Sequence, residues 1–169
     1  LGESGFGHAA KISTSGSGVV LFLVRHLLKY WIPVFGWMLV IFCASGDLMS
    51  AEHTSRFIGP FVRWFDPDIS DATIASIQFV VRKCAHLAGY AILAALLYRA
   101  FRRGRNLFGR AAAFAFLTAA LYATLDEFHQ SFVPSRTGTP WDVGIDCIGA
   151  AIGLALCLTL RRKRPLSAP

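Results

Sequence analysis

Four apolar runs, two of them too short to cross a bilayer unaided, constrain this chain more than any other feature. The runs cover residues 30–46 (with apolar residues 19–24 before it), 85–98, 111–125 and 147–160. A helix needs ~20 residues to cross ~30 Å of hydrocarbon. Between flanking charges the third run has 15 residues and the fourth has 14. Their helices must therefore continue past Asp126 and begin before Asp146, carrying those carboxylates into the membrane or its edge. The arginines at the opposite ends can snorkel to water, which the short Asp side chain does poorly.

Composition agrees with a membrane bundle. A chain that is 54% hydrophobic and 16% charged, with mean hydropathy +0.50, is more apolar than a soluble domain of this size. The length fits one small bundle, residues 19–164, between a Gly/Ser-rich, flexible N-terminal segment (1–18) and a C-terminal tail (165–169). No cleavable signal peptide is evident. The net charge of +7 does not point to nucleic acid, because the Lys and Arg residues fall in short blocks beside apolar runs. Cys43, Cys84, Cys147 and Cys157 form no CxxC pair, so packed free thiols are expected.

The charge blocks predict an orientation. Arg25 and Lys29 precede the first run. Arg99, Arg102, Arg103, Arg105 and Arg110 join the second and third, and Arg161, Arg162, Lys163 and Arg164 follow the fourth. Nearly all acids lie on the other side. The positive side is expected to be cytoplasmic, which places both termini inside and the acids outside. The first outer connection carries Phe57, Phe61 and Phe65 at i, i+4, i+8, which predicts an amphipathic helix in the outer interface. Ser70 or Asp71 should cap the next helix, which runs through Ile74 and Phe79 into the second span. The expected fold is all-α, with four transmembrane helices and that one interfacial helix.

The polar residues gather at the outer end. Lys83, His86 and Tyr90 share one helical stripe at i, i+3, i+7. The third helix ends in Asp126, Glu127 and Gln130, with His129 beside them. A turn-rich hairpin then supplies Arg136, and the fourth helix opens with Asp142 and Asp146, followed by Gly149 and Gly153 on the same face. An ionised side chain facing lipid at mid-span costs roughly 2.5–3.5 kcal/mol on insertion scales, so these groups should face one another. His86, Glu127 and Asp126 are the candidate acid/base groups; Lys83, Tyr90, Gln130, Arg136, Asp142 and Asp146 are candidate ligand contacts. A plainer reading pairs Lys83 with Asp126 or Glu127, and Arg136 with Asp142, to pin the outer loops. His53 and His129 read as interfacial residues. A metal site using His86, His129 and carboxylates is a lesser alternative, since no spacing is diagnostic of a metal, and no cofactor is expected. The Gly149/Gly153 GxxxG pair and the small residues of the second and third runs suit close helix packing.

This arrangement resembles the VanZ-like family of small multi-pass membrane proteins. The matching pieces are Lys83-x2-His86-x3-Tyr90, then Asp126-Glu127-x2-Gln130-x-Phe132-x-Pro134-x-Arg136, then Asp142, Gly149 and Gly153. The resemblance runs over residues 31–160 and includes Ser45. Where many members carry Asn in the fourth helix, this chain has Asp146, which adds a carboxylate. The resemblance implies a protein of the bacterial cytoplasmic membrane, in a family named for a member linked to low-level teicoplanin resistance. Some members have been labelled acyl-phosphate transferases, but no phosphate-cradling Gly-rich loop is present. The expected partners are the bilayer and a lipid-linked or cell-wall precursor or a glycopeptide, with a homo-oligomer open. Three functions fit: an outward-facing site that binds or modifies an envelope molecule, a small proton- or ion-coupled transporter, and a non-catalytic scaffold that shields envelope targets.

Overall fold

The structure, a computed structural model, describes residues 13–46, 51–102, 108–134 and 139–162, with side chains described over 18–46, 56–102, 109–134 and 139–160. The expected flexible segment therefore lies largely outside the described residues, and so does the C-terminal tail. Ser13 already begins helix α1 (Ser13–His26). The other helices are α2 (Ile32–Ser45), α3 (Ala51–Phe65), α4 (Asp71–Phe101), α5 (Phe108–Gln130) and α6 (Pro140–Arg162), with no strand among the described residues. Four helical stretches are long and apolar enough to cross a membrane: Gly18–Ser45, Asp71–Phe101, Gly109–Gln130 and Pro140–Leu160.

Local chemistry explains the boundaries. Residues Leu27–Trp31 form a π-helical turn between α1 and α2. Pro33 follows, and it has no N–H to give to the carbonyl four residues back. That carbonyl, on Lys29, instead accepts a 3.0 Å hydrogen bond from Arg99 Nη2 of α4. Arg99 also lies over the Tyr30 ring, so the start of α2 is tied to the end of α4. At α4's other end, the Ser70 hydroxyl accepts from the Thr73 N–H at 3.2 Å and caps the helix as expected. An exposed Arg63–Asp71 ion pair links α3 to α4 and contributes little at such exposure.

Helix α4 is the centre of the bundle, in contact with α2, α3, α5 and α6, and most extensively with α6. Its buried face carries Tyr90, Leu93, Ala94, Leu97 and Tyr98. Helix α5 answers with Ala111, Ala115, Ala119 and Ala123, one per turn and each 0–3% exposed. Without a hydrophobic drive between helices in lipid, small residues that let backbones approach are what holds such a bundle together. Large side chains on the opposite faces stay outside: Phe35, Leu39, Phe114, Leu117, Leu121 and Leu156 are each about 60% exposed, as lipid-facing residues would be. Cross-helix hydrogen bonds add direction. Trp37 Nε1 of α2 donates to the Gly89 carbonyl at 2.9 Å, and the Tyr122 hydroxyl of α5 donates to the Met38 carbonyl at 2.7 Å.

Helix α3 is amphipathic, and its aromatic face is unpacked. Phe57, Phe61, Trp64 and Phe65 are all exposed, whereas Ile58 turns toward α4. The cysteines are free, as expected, but Cys43 and Cys84 lie on the outer surface rather than packed inside.

Candidate functional site

The polar stripe of α4, the end of α5 and the start of α6 meet at one end of the bundle. The alanine stripe of α5 leads into Asp126, Glu127 and Gln130, which are 3%, 6% and 4% exposed. Each is buried because the stripe that packs against α4 and α6 continues through these positions. On α6, Asp146 lies one turn beyond Asp142 and is fully buried. Tyr90 is 1% exposed, while Lys83 and His86 are half-buried above it.

The pairing differs from the simple sequence expectation. Lys83 Nζ is bonded to Asp142, not to Asp126 or Glu127. His86 Nδ1 lies 3.3 Å from Asp146 Oδ1. That contact is off the line of a hydrogen bond, and neither Asp146 oxygen has a hydrogen-bond partner among the described residues. The reason is register: α6 packs closely on α4, so its carboxylates meet the α4 stripe one turn at a time. The α5 acids are engaged elsewhere. Asp126 Oδ2 accepts from Ser45 Oγ at 2.6 Å and from Gln130 Nε2 at 3.1 Å. Glu127 Oε2 accepts from the Thr139 N–H at 3.1 Å, and its Oε1 accepts from Gln130 at 3.3 Å. Glu127 therefore holds the start of α6, where Pro140 opens the helix and Asp142 lies in the first turn.

Arg136 lies outside the described residues, and so does the side chain of His53. His129 stacks on Phe42 of α2 with ring centroids 4.6 Å apart, a packing role at the edge of the cluster.

Two cavities adjoin the cluster. One, of about 300 Å³, is mainly apolar and is lined by Ile41, Ala44, Ser45, Ile58, Gln78, Val81, Arg82, Ala85, His86, Gly89 and Tyr90. The other, of about 280 Å³, is about half polar and is lined by Phe79, Arg82, Lys83, His86, Gln130, Thr139, Trp141, Asp142 and Ile145. Arg82 and His86 line both. Together they offer an apolar slot and a polar slot with a cation and an imidazole at the junction. Three carboxyl groups, on Asp126, Glu127 and Asp146, surround one imidazole, since Lys83 is taken by Asp142. Ionised carboxylates are stable in such a place only with a counter-charge.

Sequence reasoning missed several members of this site. Ser45 entered the sequence reading only through the family resemblance, although a hydroxyl closing an apolar span is itself a signal of a buried partner. Arg82 sits about 100° around α4 from Lys83 and so fell off the stripe. The Thr139 amide has no sequence signature at all. Ser45→Ala is expected to lower stability by about 1.5 kcal/mol, because Asp126 would lose a charge-assisted bond. Thermal unfolding of the purified protein measures this, and a melting curve identical to wild type would show that Asp126 does not depend on Ser45.

The sequence model of a family described as VanZ/LLP1 matches residues 28–161. No curated protein matches the chain, and no solved structure does.

Proposed function

The chain belongs to the VanZ/LLP1 family, and on that premise we propose that it binds or modifies an anionic, amphiphilic cell-envelope molecule, such as a lipid-linked or cell-wall precursor. The observation that carries this reading is the meeting of an apolar cavity and a charged, half-polar cavity at Arg82 and His86. A hydrocarbon chain suits the slot between α2 and α4. An anionic head group suits Arg82 and Lys83. Such a ligand would compete with Asp142 for Lys83. His86, which lines both cavities, would then be the group that takes or gives a proton at the head group, with Glu127 and Asp126 as buried candidate partners that line neither cavity.

In this reading the site faces outward from a bacterial cytoplasmic membrane with both termini inside, as the Arg blocks favour. The protein would contribute to teicoplanin resistance by occupying or altering the molecules near the drug's target. Transport is supported less well. Beyond Tyr90 the buried faces continue as Leu93, Ala94 and Leu97 on α4 and as alanines on α5, which supplies no continuous polar path.

The test expresses wild type, Arg82→Gln, His86→Ala and Glu127→Gln in a sensitive bacterium. Teicoplanin susceptibility, envelope lipid profile and lipid retained by the purified protein are measured together. Wild type should retain an anionic amphiphile that Arg82→Gln and His86→Ala hold about tenfold less well, the loss of one charged contact. An envelope species that disappears in Glu127→Gln marks turnover; protection with unchanged profiles marks binding. Well-expressed variants equal to wild type in every assay would sink the proposal.

A further inference from the structure

The geometry points to a divalent-cation site of the Zn²⁺ class formed by His86, Glu127 and Asp146. This inference deepens the reading above and rests on the same buried site. One ligand atom from each of the three residues lies within 4.8 Å of the others, and the three come from α4, α5 and α6, so an ion there would join three helices.

The His86–Asp146 contact carries the argument furthest. At 3.3 Å it is an ion pair when His86 is protonated, although it lacks the alignment of a good hydrogen bond. That separation is compatible with the edge of a tetrahedron of donors about 2.0–2.1 Å from a zinc ion, about 3.3 Å, and the Glu127 oxygen, within 4.8 Å of both, would close in on binding. Asp146 is 0% exposed, points at His86, and has two carboxylate oxygens with no hydrogen-bond partner among the described residues. A fully buried carboxylate is costly unless a cation completes it, and a metal ion held by His86 and Asp146 together would do so as protonated His86 does alone. A second, independent group is also unsatisfied. The Tyr90 hydroxyl, one turn along α4 from His86 and 1% exposed, has no hydrogen-bond partner among the described residues, and Tyr90 lines the same cavity as His86.

The surroundings suit the role. The Thr139 amide and Gln130 fix the Glu127 carboxylate, as outer hydrogen bonds orient metal ligands. Two carboxylates balance a doubly charged ion. One imidazole with two carboxylates favours Zn²⁺ or a neighbouring first-row ion over Mg²⁺ and Ca²⁺, which take oxygen ligands. Three protein ligands leave a position for a ligand oxygen from the adjoining cavities.

The test uses the full chain in detergent, with no lipid added. The protein is stripped with chelator, dialysed, and titrated with Zn²⁺ and separately with Co²⁺. Wild type is expected to bind one ion per chain, with visible Co²⁺ bands of a four-coordinate nitrogen–oxygen site. Asp146→Asn and His86→Gln should weaken binding at least as much as loss of an outer partner does, about 10–100-fold. Asp71→Asn, an exposed acid at the start of α4, should bind as wild type. Glu127→Gln serves if Asp146→Asn does not yield a monodisperse helical protein. Wild type without a stoichiometric ion, or ligand-residue variants that bind as well as wild type, overturns the inference. Because lipid is absent, a chain that binds the ion but captures no amphiphile fails the proposed function alone. One that captures the amphiphile without an ion fails this inference alone.

Discussion

Gly153→Ala and Gly149→Ala are each expected to destabilise the protein by about 3 kcal/mol, the upper end of overpacking costs. A Cβ at position 153 would lie 2.1 Å from the Ala91 carbonyl oxygen and 2.8 Å from its carbon and Cα. At position 149 it would lie 2.3 Å from the Leu87 carbonyl oxygen. Both obstacles are backbone, so no rotamer change relieves them, and α4 and α6 must move apart. Leu87 and Ala91 are one turn apart, as Gly149 and Gly153 are, so the two helices touch along a continuous seam. Gly144 lies on the same helix with nothing within 4 Å of its Cβ position. Gly144→Ala is therefore a control that should match wild type or gain up to about 1 kcal/mol from helix propensity. Denaturant or thermal unfolding in detergent separates the cases; Gly149→Ala and Gly153→Ala both within about 0.5 kcal/mol of wild type would show that the seam is not as tight as described. The same seam sets the distance between His86 and Asp146, so these variants should also impair the site without altering any of its polar groups.

Breaking the Lys83–Asp142 pair should have the next largest effect. Both side chains are mostly buried, at 23% and 15% exposed. Removing one partner from a buried ion pair costs about 3–5 kcal/mol by leaving the other uncompensated. Partial exposure here reduces the expected loss to about 2 kcal/mol for Lys83→Met or Asp142→Leu. The double variant should recover most of that loss, since apolar residues of similar volume replace such pairs at little cost. A double-mutant cycle by unfolding measures the coupling, expected at about 1–2 kcal/mol. Strictly additive single effects would mean that the two charges do not depend on each other. On the proposed function the cycle also bears on ligand binding, because Lys83 would have to release Asp142 to meet an anionic head group.

Much of the fold was readable from spacing. The shortness of the third and fourth runs required helices that swallow Asp126 and Asp146, and both are buried in α5 and α6. The Phe57/Phe61/Phe65 period announced α3, and Ser70 announced the start of α4. These are local properties: hydropathy, period and capping each involve residues a few positions apart. The site was readable as a set of residues but not as a set of contacts. Lys83 had four carboxylates to choose from by sequence alone, and stripe geometry could not rank them.

The sequence by itself determined that this is a bundle of membrane-spanning helices, with its buried ionisable groups drawn to one end. Charged side chains at the edges of short apolar runs have no other stable arrangement in a bilayer. Only the tertiary structure decided which groups meet. The glycine seam sets how close α6 comes to α4, and that closeness gives Lys83 to Asp142, brings His86 to 3.3 Å from Asp146, and leaves the α5 acids to Ser45, Gln130 and the Thr139 amide. It also opened the two cavities that share Arg82 and His86. Their walls combine faces of helices distant in sequence, and helix separation and rotation, which a single chain's periodicity does not encode, fix those faces against one another.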